Sequence, residues 1–453
     1  MKKYLTFKPI YYVFAFALII RILIPLTDYL TSHSLESFYN TDTPSYISTA
    51  VSLAYSLEFN NYKGEPEIVR TPGYPIFMVI GLLLGNIELV TIFLQVILSF
   101  MTVFLIYKIS FELFKDELAS FFAVLFASID WVLILYTHTL STETLFTFIV
   151  TLFLYYIILY FKNKTLRYIV ISAILLTMSI YVRPIGYYLP IFFVFSMTAY
   201  LFFKQELTKK VIVHLLIFLI LTGGLVTLWQ IRNYKETGYS KFSAISDINI
   251  YFYNACSLLA EKDGMPFIIM HEKLFHSIDI NNQQMQKRVQ DYNIIRSQGL
   301  KIIFNDPIIY AKIHLLGMYK MLIDGWFPDY YKWAESNVGP IDGISGLLLD
   351  HGIKETFYIL SKVHRFELLY YILYYIGVIL FYIAVMTAII DKRSNAGVFA
   401  LIITALYLWV IGAGLGWVMY RFRHPMLPTF CILGRMGMAI IYKKLVRYSK
   451  IYE

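Results

Sequence analysis

Runs of about 20 apolar residues recur ten times along this chain, and they constrain its fold more than any other feature. A helix of that length crosses the hydrocarbon core of a bilayer while satisfying its own backbone hydrogen bonds. With 58% hydrophobic and 15% charged residues, the composition excludes an ordinary soluble enzyme. The sequence therefore predicts an all-α polytopic membrane protein. The predicted spans are residues 9–27, 87–109, 117–137, 142–161, 167–183, 185–203, 210–229, 366–389, 396–417 and 425–442.

The formal charge of +9 is explained by membrane orientation rather than by nucleic acid. If the N-terminus is cytoplasmic, every short basic connection also falls on the cytoplasmic side, as the positive-inside rule requires. We expect a protein of the inner (plasma) membrane with both termini in the cytoplasm. The two cysteines imply neither a disulfide framework nor a cysteine-based zinc site. The basic connections lie within residues 108–115, 162–167, 204–210, 392–393 and 443–450.

The spans divide the chain into three predicted parts. Residues 1–229 form a module of seven spans, whose first extracytoplasmic loop is residues 28–86. Residues 230–365 form a large extracytoplasmic loop or small domain with amphipathic helices, and residues 366–453 add three spans. Nearly all of the material outside the membrane is thus expected on one face.

The first outer loop brings a carboxylate and a guanidinium out of the membrane together. Asp42 lies in Thr-Asp-Thr-Pro-Ser-Tyr, and Arg70 begins Arg-Thr-Pro-Gly-Tyr-Pro, which also supplies Tyr74. Thr43 is expected to cap a helix that begins at Pro44 and lies on the membrane surface. The positive end of that helix would favour a charged Asp42, as a general base, a metal ligand or a solvated loop acid. We expect Arg70 and Tyr74 to contact substrate.

Other candidate residues come from distant parts of the chain but map to the same face. Glu143 begins a span, where it is either a second site carboxylate or an acid favoured by the helix N-terminus. Arg183 precedes a proline between two spans, and Arg421 and Arg423 flank Phe422 before the last span. These arginines are suited to bind a phosphate at the membrane surface, and the alternative for each is contact with lipid headgroups.

Two further residues complete the candidate set. Arg232 closes the seventh span at the same level as the other arginines. His138 is either a ligand to substrate or metal, or an ordinary interfacial histidine. Carboxylates beside several arginines at headgroup depth predict a site for a phosphate-bearing lipid and a reaction next to that phosphate.

The order of these motifs resembles the GT-C glycosyltransferases. Thr-Asp-x-Pro-x-Tyr is followed by Arg-Thr-Pro-Gly-Tyr-Pro, Ser-Thr-Glu-Thr-Leu-Phe, Tyr-Val-Arg-Pro, Trp-Gln-Ile-Arg-Asn-Tyr and Tyr-Arg-Phe-Arg-His-Pro-Met-Leu-Pro. More narrowly, the chain is similar to the bacterial family 39 branch, related to dolichyl-phosphate-mannose protein mannosyltransferases and to lipid A aminoarabinose transferases. The resemblance covers nearly the whole chain.

This resemblance implies an inverting transfer of a sugar from a polyprenyl-phosphate carrier to an extracytoplasmic glycan, lipid or protein. The family's catalytic acid matches Asp42, its second acidic position matches Glu143, and its phosphate-binding arginines match Arg183, Arg421 and Arg423. Many relatives carry two adjacent acids in the first loop, whereas threonines flank Asp42 here. The resemblance therefore leaves open whether Asp42 and Glu143 bind a divalent cation such as Mg²⁺ or Mn²⁺.

Three other classes of function are compatible with parts of the pattern. A polysaccharide polymerase or ligase shares the outer loops and the lipid substrate. A lipid flippase or transporter binds the same phosphate, but it is expected to place ionisable groups near the midplane and to show repeated halves, and the sequence shows neither. An inactive membrane scaffold requires no clustered carboxylates and arginines.

Overall fold

The chain is almost wholly helical in the computed structural model, which describes residues 9–277, 285–323, 354, 365–392, 395–414 and 420–452. Within these residues the only β pairing is an isolated bridge between Asn60 and Pro66. The α-helices are α1 Pro9–Ser32, α2 Thr43–Ser56, α3 Gly73–Leu83, α4 Ile87–Phe114, α5 Glu117–Ile129, α6 Trp131–Leu135, α7 Glu143–Asn163, α8 Leu166–Val182, α9 Leu189–Phe203, α10 Lys209–Thr237, α11 Ile245–Ile248, α12 Cys256–Asp263, α13 Phe267–Ser277, α14 Met285–Asn305, α15 Pro307–Ile323, α16 Arg365–Lys392, α17 Ala396–Gly412 and α18 Leu427–Tyr452.

Six helical segments of the described chain are long and apolar enough to cross a membrane. They coincide with six of the ten predicted spans, and the other four predicted spans fall on α5, α8, α16 and α17. The prediction of a helical, multi-pass membrane protein is confirmed, whereas ten crossings remain a prediction. The six long segments are Pro9–Ser32, Ile87–Phe114, Glu143–Asn163, Pro184–Phe203, Lys209–Thr237 and Arg421–Tyr442.

The predicted span over residues 117–137 is not one continuous helix, because the helix breaks at Asp130. The backbone of Asp130 is extended, and its side chain accepts a hydrogen bond from the backbone N–H of Leu133 at 3.0 Å. Aspartate competes for backbone hydrogen bonds and favours helix starts, so it ends α5 and begins the short helix α6.

One large core runs through the helix bundle. Helix α1 packs on α4 and α5, α7 packs between α4 and α8, and α16 packs on α18. Phe153, Phe193 and Phe218 are fully buried, with ring centroids 5.4 and 5.9 Å apart along the row. In contrast, Phe195 and Ile220 point outwards with more than half of their surface exposed, as lipid-facing residues do.

Hydrogen bonds between loops gather the predicted outer segments at one end of this bundle. Thr43 Oγ1 donates to the carbonyl of Leu140 at 2.9 Å, and the N–H of Leu140 donates to Phe38 at 2.8 Å. Thr71 Oγ1 donates to the carbonyl of Val182 at 3.3 Å. These bonds join the segments that carry Asp42, Arg70, Glu143 and Arg183.

The described part of residues 230–365 adds small helices with two minor cores of their own. Helix α10 continues to Thr237, so the predicted boundary after residue 229 falls inside a helix. Where the sequence predicts amphipathic helices, the structure has α14 and α15 among others. Residues 324–333 lie outside the described residues.

Gly73 fixes the distance between α3 and the end of α8, immediately before Arg183. A Cβ at Gly73 would lie 2.7 Å from backbone atoms of Tyr181 and Val182, which cannot move aside as a side-chain tip can. We expect Gly73→Ala to destabilise the protein by about 1–3 kcal/mol through overpacking. The measurement is the apparent melting temperature in detergent. The matched control is Gly223→Ala in α10, where a Cβ meets nothing within 4 Å, and equal melting temperatures for the two variants would contradict the close contact.

Candidate active site

Asp42 and Arg70 form an ion pair at the start of α2. The helix begins at Thr43, one residue earlier than predicted, and Thr43 does not cap it, because its hydroxyl bonds to Leu140 and Asn40 instead. Asp42 occupies the cap position but makes no side-chain capping bond. Its Oδ1 accepts a hydrogen bond from Arg70 Nη2 at 2.7 Å, so the carboxylate is turned towards the site.

Tyr46 supports this pair from the next turn of α2. The Arg70 guanidinium lies 4.8 Å from the centroid of the Tyr46 ring, a cation–π distance. Burial by itself lowers the pKa of Arg70, but its neighbours Tyr46 and Asp42 raise the pKa above its ordinary value, so the guanidinium stays charged. Burial also raises the pKa of Tyr46, which keeps its hydroxyl protonated.

Tyr74 lies beneath Tyr46 rather than beside an opening. It is fully buried, its ring packs edge-on to Tyr46 at 5.1 Å, and its hydroxyl donates to Gln95 Oε1 at 2.8 Å. Ala50, on the same stripe of α2, is also fully buried. Helix α2 therefore packs against α3, whereas Leu57 at its end is exposed, and its position on the membrane surface stays a prediction.

Glu143 and Arg183 form a second ion pair. Glu143 is the first residue of α7, and Arg183 follows the last residue of α8 in an extended conformation, which the residue before a proline favours. Their Oε1 and Nη1 atoms are 2.6 Å apart. The Arg183 guanidinium lies between the rings of Phe146 and Phe422, at 5.9 Å from each centroid. Arg183 is thus held in place by contacts within the protein.

Arg421 connects the two pairs. Its Nη1 lies 3.7 Å from Asp42 Oδ2, and it also interacts electrostatically with Glu143. Its guanidinium packs at 5.1 Å from the centroid of the Phe422 ring. Both ion pairs act on Tyr46 as well. Two carboxylates and three guanidiniums therefore share one site with an excess of positive charge.

Exposure increases steadily across this group. The Glu143 side chain is 3% exposed, Arg183 16%, Arg70 18%, Arg421 24% and Asp42 32%. The site therefore opens on the side of Asp42, and Glu143 forms its closed end.

Comparisons with known proteins agree with the motif order. Residues 69–229 match the model of the dolichyl-phosphate-mannose-protein mannosyltransferase family, a segment that includes Arg70, Glu143 and Arg183. The oligosaccharyltransferase AglB of Archaeoglobus fulgidus, in complex with an inhibitory peptide and a dolichol-phosphate, superposes with a TM-score of 0.52 at 12% identity, over 98% of this chain and 51% of that chain. The chain has the GT-C glycosyltransferase fold.

Two further structures were compared with the chain, both of proteins in the apo state. The apo form of the same AglB gives a TM-score of 0.51 at 14% identity, over 100% of this chain and 52% of that chain. ArnT of Cupriavidus metallidurans in the apo state gives 0.39 at 11% identity, over 92% of this chain and 77% of that chain. The chain thus spans about half the length of the AglB chains it matches. No curated protein matches the sequence.

Within the GT-C fold, the structure brings together five of the nine predicted site residues, buries Tyr74 beneath them and places three others elsewhere. Arg423 is buried and donates to the carbonyl of Leu322 at 2.9 Å, at the end of α15. Arg232 donates to the carbonyls of Glu67 and Phe59, at 2.8 Å each, and so ties the first outer loop to α10.

The third of these residues, His138, has Asp28 as its electrostatic neighbour. Burial lowers the pKa of His138, although Asp28 acts in the opposite direction. His138 therefore lies near the end of α1, which carries Asp28.

Two residues beside the GT-C site were not predicted. His424 is buried, with Nδ1 at 2.6 Å from Thr147 Oγ1, and it interacts electrostatically with Glu143. Tyr253, in the π-helical segment Asn249–Ala255, interacts electrostatically with Asp42 and with the neighbouring arginines. The motif Arg-Phe-Arg-His-Pro contained a signal for His424, whereas nothing in the sequence around Tyr253 indicated a role.

The described residues form no cation site as they are arranged, and a bound divalent cation stays a prediction. The described part of the chain contains no group of three or more His, Cys, Asp or Glu residues suited to a metal ion. Asp42 faces Arg70 and Arg421, and Glu143 faces Arg183. A divalent cation seeks several oxygen ligands, and here guanidiniums occupy that space.

Proposed function

We propose that this chain is an inverting glycosyltransferase that moves a sugar from a polyprenyl-phosphate carrier to a glycan, lipid or protein acceptor. The observation that supports it is the group of three arginines and two carboxylates at one end of a GT-C bundle. Its excess positive charge suits a phosphate, and its partly buried guanidiniums bind anions more strongly than exposed ones. AglB, which shares the fold, was solved with a dolichol-phosphate, a ligand of the same chemical class.

In this proposal Asp42 is the general base. Its Oδ1 is held by Arg70, whereas Oδ2 is 3.7 Å from Arg421, beyond hydrogen-bond distance, and so keeps lone pairs for a proton. An acceptor hydroxyl gives its proton to Asp42 as its oxygen attacks the anomeric carbon. The bond from that carbon to the phosphate oxygen breaks, and its electron pair leaves with the phosphate. One displacement inverts the anomeric centre without a glycosyl-enzyme.

The arginines stabilise the leaving phosphate in the same proposal. Arg183 and Arg421 lie deeper than Asp42, and their guanidiniums are positioned by Glu143 and by the Phe422 ring. Donors that are already oriented towards a developing negative charge lower the barrier because they need no reorganisation. Glu143 is thus a positioning residue for Arg183 rather than a metal ligand.

The site is proposed to face the extracytoplasmic side of the inner membrane. We expect a thiol probe that cannot cross the membrane to label Lys63→Cys, in the exposed first outer loop, in intact cells. Lys209→Cys, at the start of α10, should be labelled only after the cells are opened. The two native cysteines are buried and are replaced by alanine for this measurement. If Lys209→Cys is labelled in intact cells and Lys63→Cys is not, the orientation in the membrane is opposite to the one proposed.

The test of the function itself is the glycan content of the source cell. A strain that lacks the gene should lose one sugar from an envelope glycan, lipid or protein and accumulate the corresponding polyprenyl-phosphate sugar, as seen by mass spectrometry. The wild-type gene should restore both. An unchanged glycan profile together with unchanged lipid-linked sugars would remove the proposal.

A further inference from the structure

A group of uncharged polar side chains lies beside the arginine site. Asn254 belongs to the π-helical segment Asn249–Ala255, and Tyr310 and His314 lie one turn apart on α15, with ring centroids 5.8 Å apart. They converge on Gly414: a Cβ there would lie 3.2 Å from Tyr310 Oη, 3.4 Å from His314 Cε1 and 3.5 Å from Asn254 Nδ2. A side chain at position 414 would fill the space between these three residues, and glycine leaves that space open.

Two acceptor atoms of this group are buried and unsatisfied. Asn254 Oδ1 and His314 Nδ1 have no hydrogen-bond partner in the described structure. His314 also bonds to the backbone of Val410, and a ring N–H donated from Nε2 to that carbonyl leaves Nδ1 as an acceptor. A buried acceptor without a partner costs stability, so two of them in one place indicate a ligand that supplies donors.

The group borders the proposed reaction site. Tyr253, next to Asn254 in the chain, interacts electrostatically with Asp42, Arg70 and Arg421. Single π-helical turns are often found at functional sites, because they turn side chains out of the regular helical order. The ligand that fits this position carries O–H donors and is uncharged where it binds.

We propose that Asn254, Tyr310 and His314 form a pocket for the hydroxyl groups of a sugar, separate from the arginines that bind phosphate. The inference rests on the proposed function. It assigns the phosphate of the substrate to the arginines and the sugar hydroxyls to the pocket. Neutral groups that both donate and accept suit sugar hydroxyls, whereas a phosphate offers only acceptors and belongs with the guanidiniums. The sugar is either the one on the donor or one on the acceptor glycan.

The first experiment measures product formation by Asn254→Ala and His314→Phe. Purified protein is added to solubilised membranes of the deletion strain, which contain the accumulated donor and acceptor. We expect roughly tenfold less product for each variant, as the loss of one hydrogen bond to substrate predicts. Because Asn254→Ala removes an unsatisfied acceptor, its melting temperature should equal or exceed that of wild type, whereas His314→Phe also removes the donor to Val410 and should melt lower. Binding of undecaprenyl phosphate, the probe for the arginine site, should stay within twofold.

Asn305→Ala and His276→Ala are the matched controls, since both residues are exposed and lie in the same outer part of the chain. Product within twofold of wild type for both pocket variants would overturn the inference. So would a loss of product by Asn254→Ala together with a lower melting temperature of that variant, because that result describes a structural role. A deletion strain with unchanged glycans is a separate outcome that removes the proposed function itself.

A second experiment distinguishes the two sources of the sugar. Wild type and Asn254→Ala are incubated with the lipid extract of the deletion strain, and the retained lipids are quantified by mass spectrometry. If the pocket holds the donor sugar, the variant retains less of the glycosylated carrier but as much bare undecaprenyl phosphate. If it holds the acceptor glycan, the variant retains both lipids normally and still forms less product.

Discussion

Asp42→Asn is expected to lower the rate of sugar transfer by roughly 10²–10⁴-fold, the range that a general base contributes. Asparagine keeps the shape of the side chain and can still lie beside Arg70, but its amide cannot take the proton of an acceptor hydroxyl. The Asp42 side chain is 32% exposed, so the loss of its charge should cost little stability. The measurement is the initial rate of product formation with membranes of the deletion strain, alongside the melting temperature.

The matched control for this substitution is Asp306→Asn. Asp306 also pairs with a basic residue, Lys262 at 2.8 Å, and its side chain is 27% exposed, but it lies outside the ion-pair group. We expect the control to transfer sugar at the wild-type rate. A rate for Asp42→Asn within a few-fold of wild type, in a folded protein, would remove Asp42 as the base and leave Arg70 with a purely structural partner.

The sequence was sufficient to predict the class of fold and to single out five residues that the structure brings together. Apolar length predicts membrane helices because the bilayer imposes one dimension on all of them. Motifs at the ends of these helices must then meet at one of two faces. The sequence alone singles out five such residues, namely Asp42, Arg70, Glu143, Arg183 and Arg421.

The pairings themselves depended on tertiary structure. Arg232 and Arg423 occur at the same helix ends as Arg183 and Arg421, but backbone carbonyls of neighbouring segments accept their hydrogen bonds. Local sequence cannot show which arginine meets a carboxylate and which meets a carbonyl. For the same reason Tyr253 and the Asn254 pocket were missed, because their significance depends on α15 and on Gly414, far away in the chain.

At Asp130 the local sequence does carry the signal. The apolar residues on both sides of it nevertheless favour one continuous helix. An aspartate followed by an apolar turn is a helix-start signal, and the structure uses it. Apolar length predicts that a segment lies in the membrane, but it does not require the segment to be one continuous helix.

Arg183→Lys is expected to weaken the binding of undecaprenyl phosphate by roughly 10–100-fold, although it keeps the positive charge. The guanidinium of Arg183 lies between the rings of Phe146 and Phe422 while Nη1 contacts Glu143, which leaves other N–H groups of the same plane for a phosphate. A lysine ammonium is a point charge without this fork. It can pair with Glu143, but it cannot offer a second directed donor at the same time.

The experiment compares dissociation constants for undecaprenyl phosphate in nanodiscs, measured by native mass spectrometry. The matched control is Arg167→Lys, an exposed arginine near the other end of the same helix, α8. If arginine at position 183 only snorkels to headgroups, both substitutions should leave binding unchanged, since lysine snorkels equally well. If only Arg183→Lys weakens binding, and its melting temperature is normal, then phosphate binding depends on the planar guanidinium at this position. Because the probe carries no sugar, that result would assign phosphate recognition to Arg183 independently of which sugar and acceptor the enzyme uses.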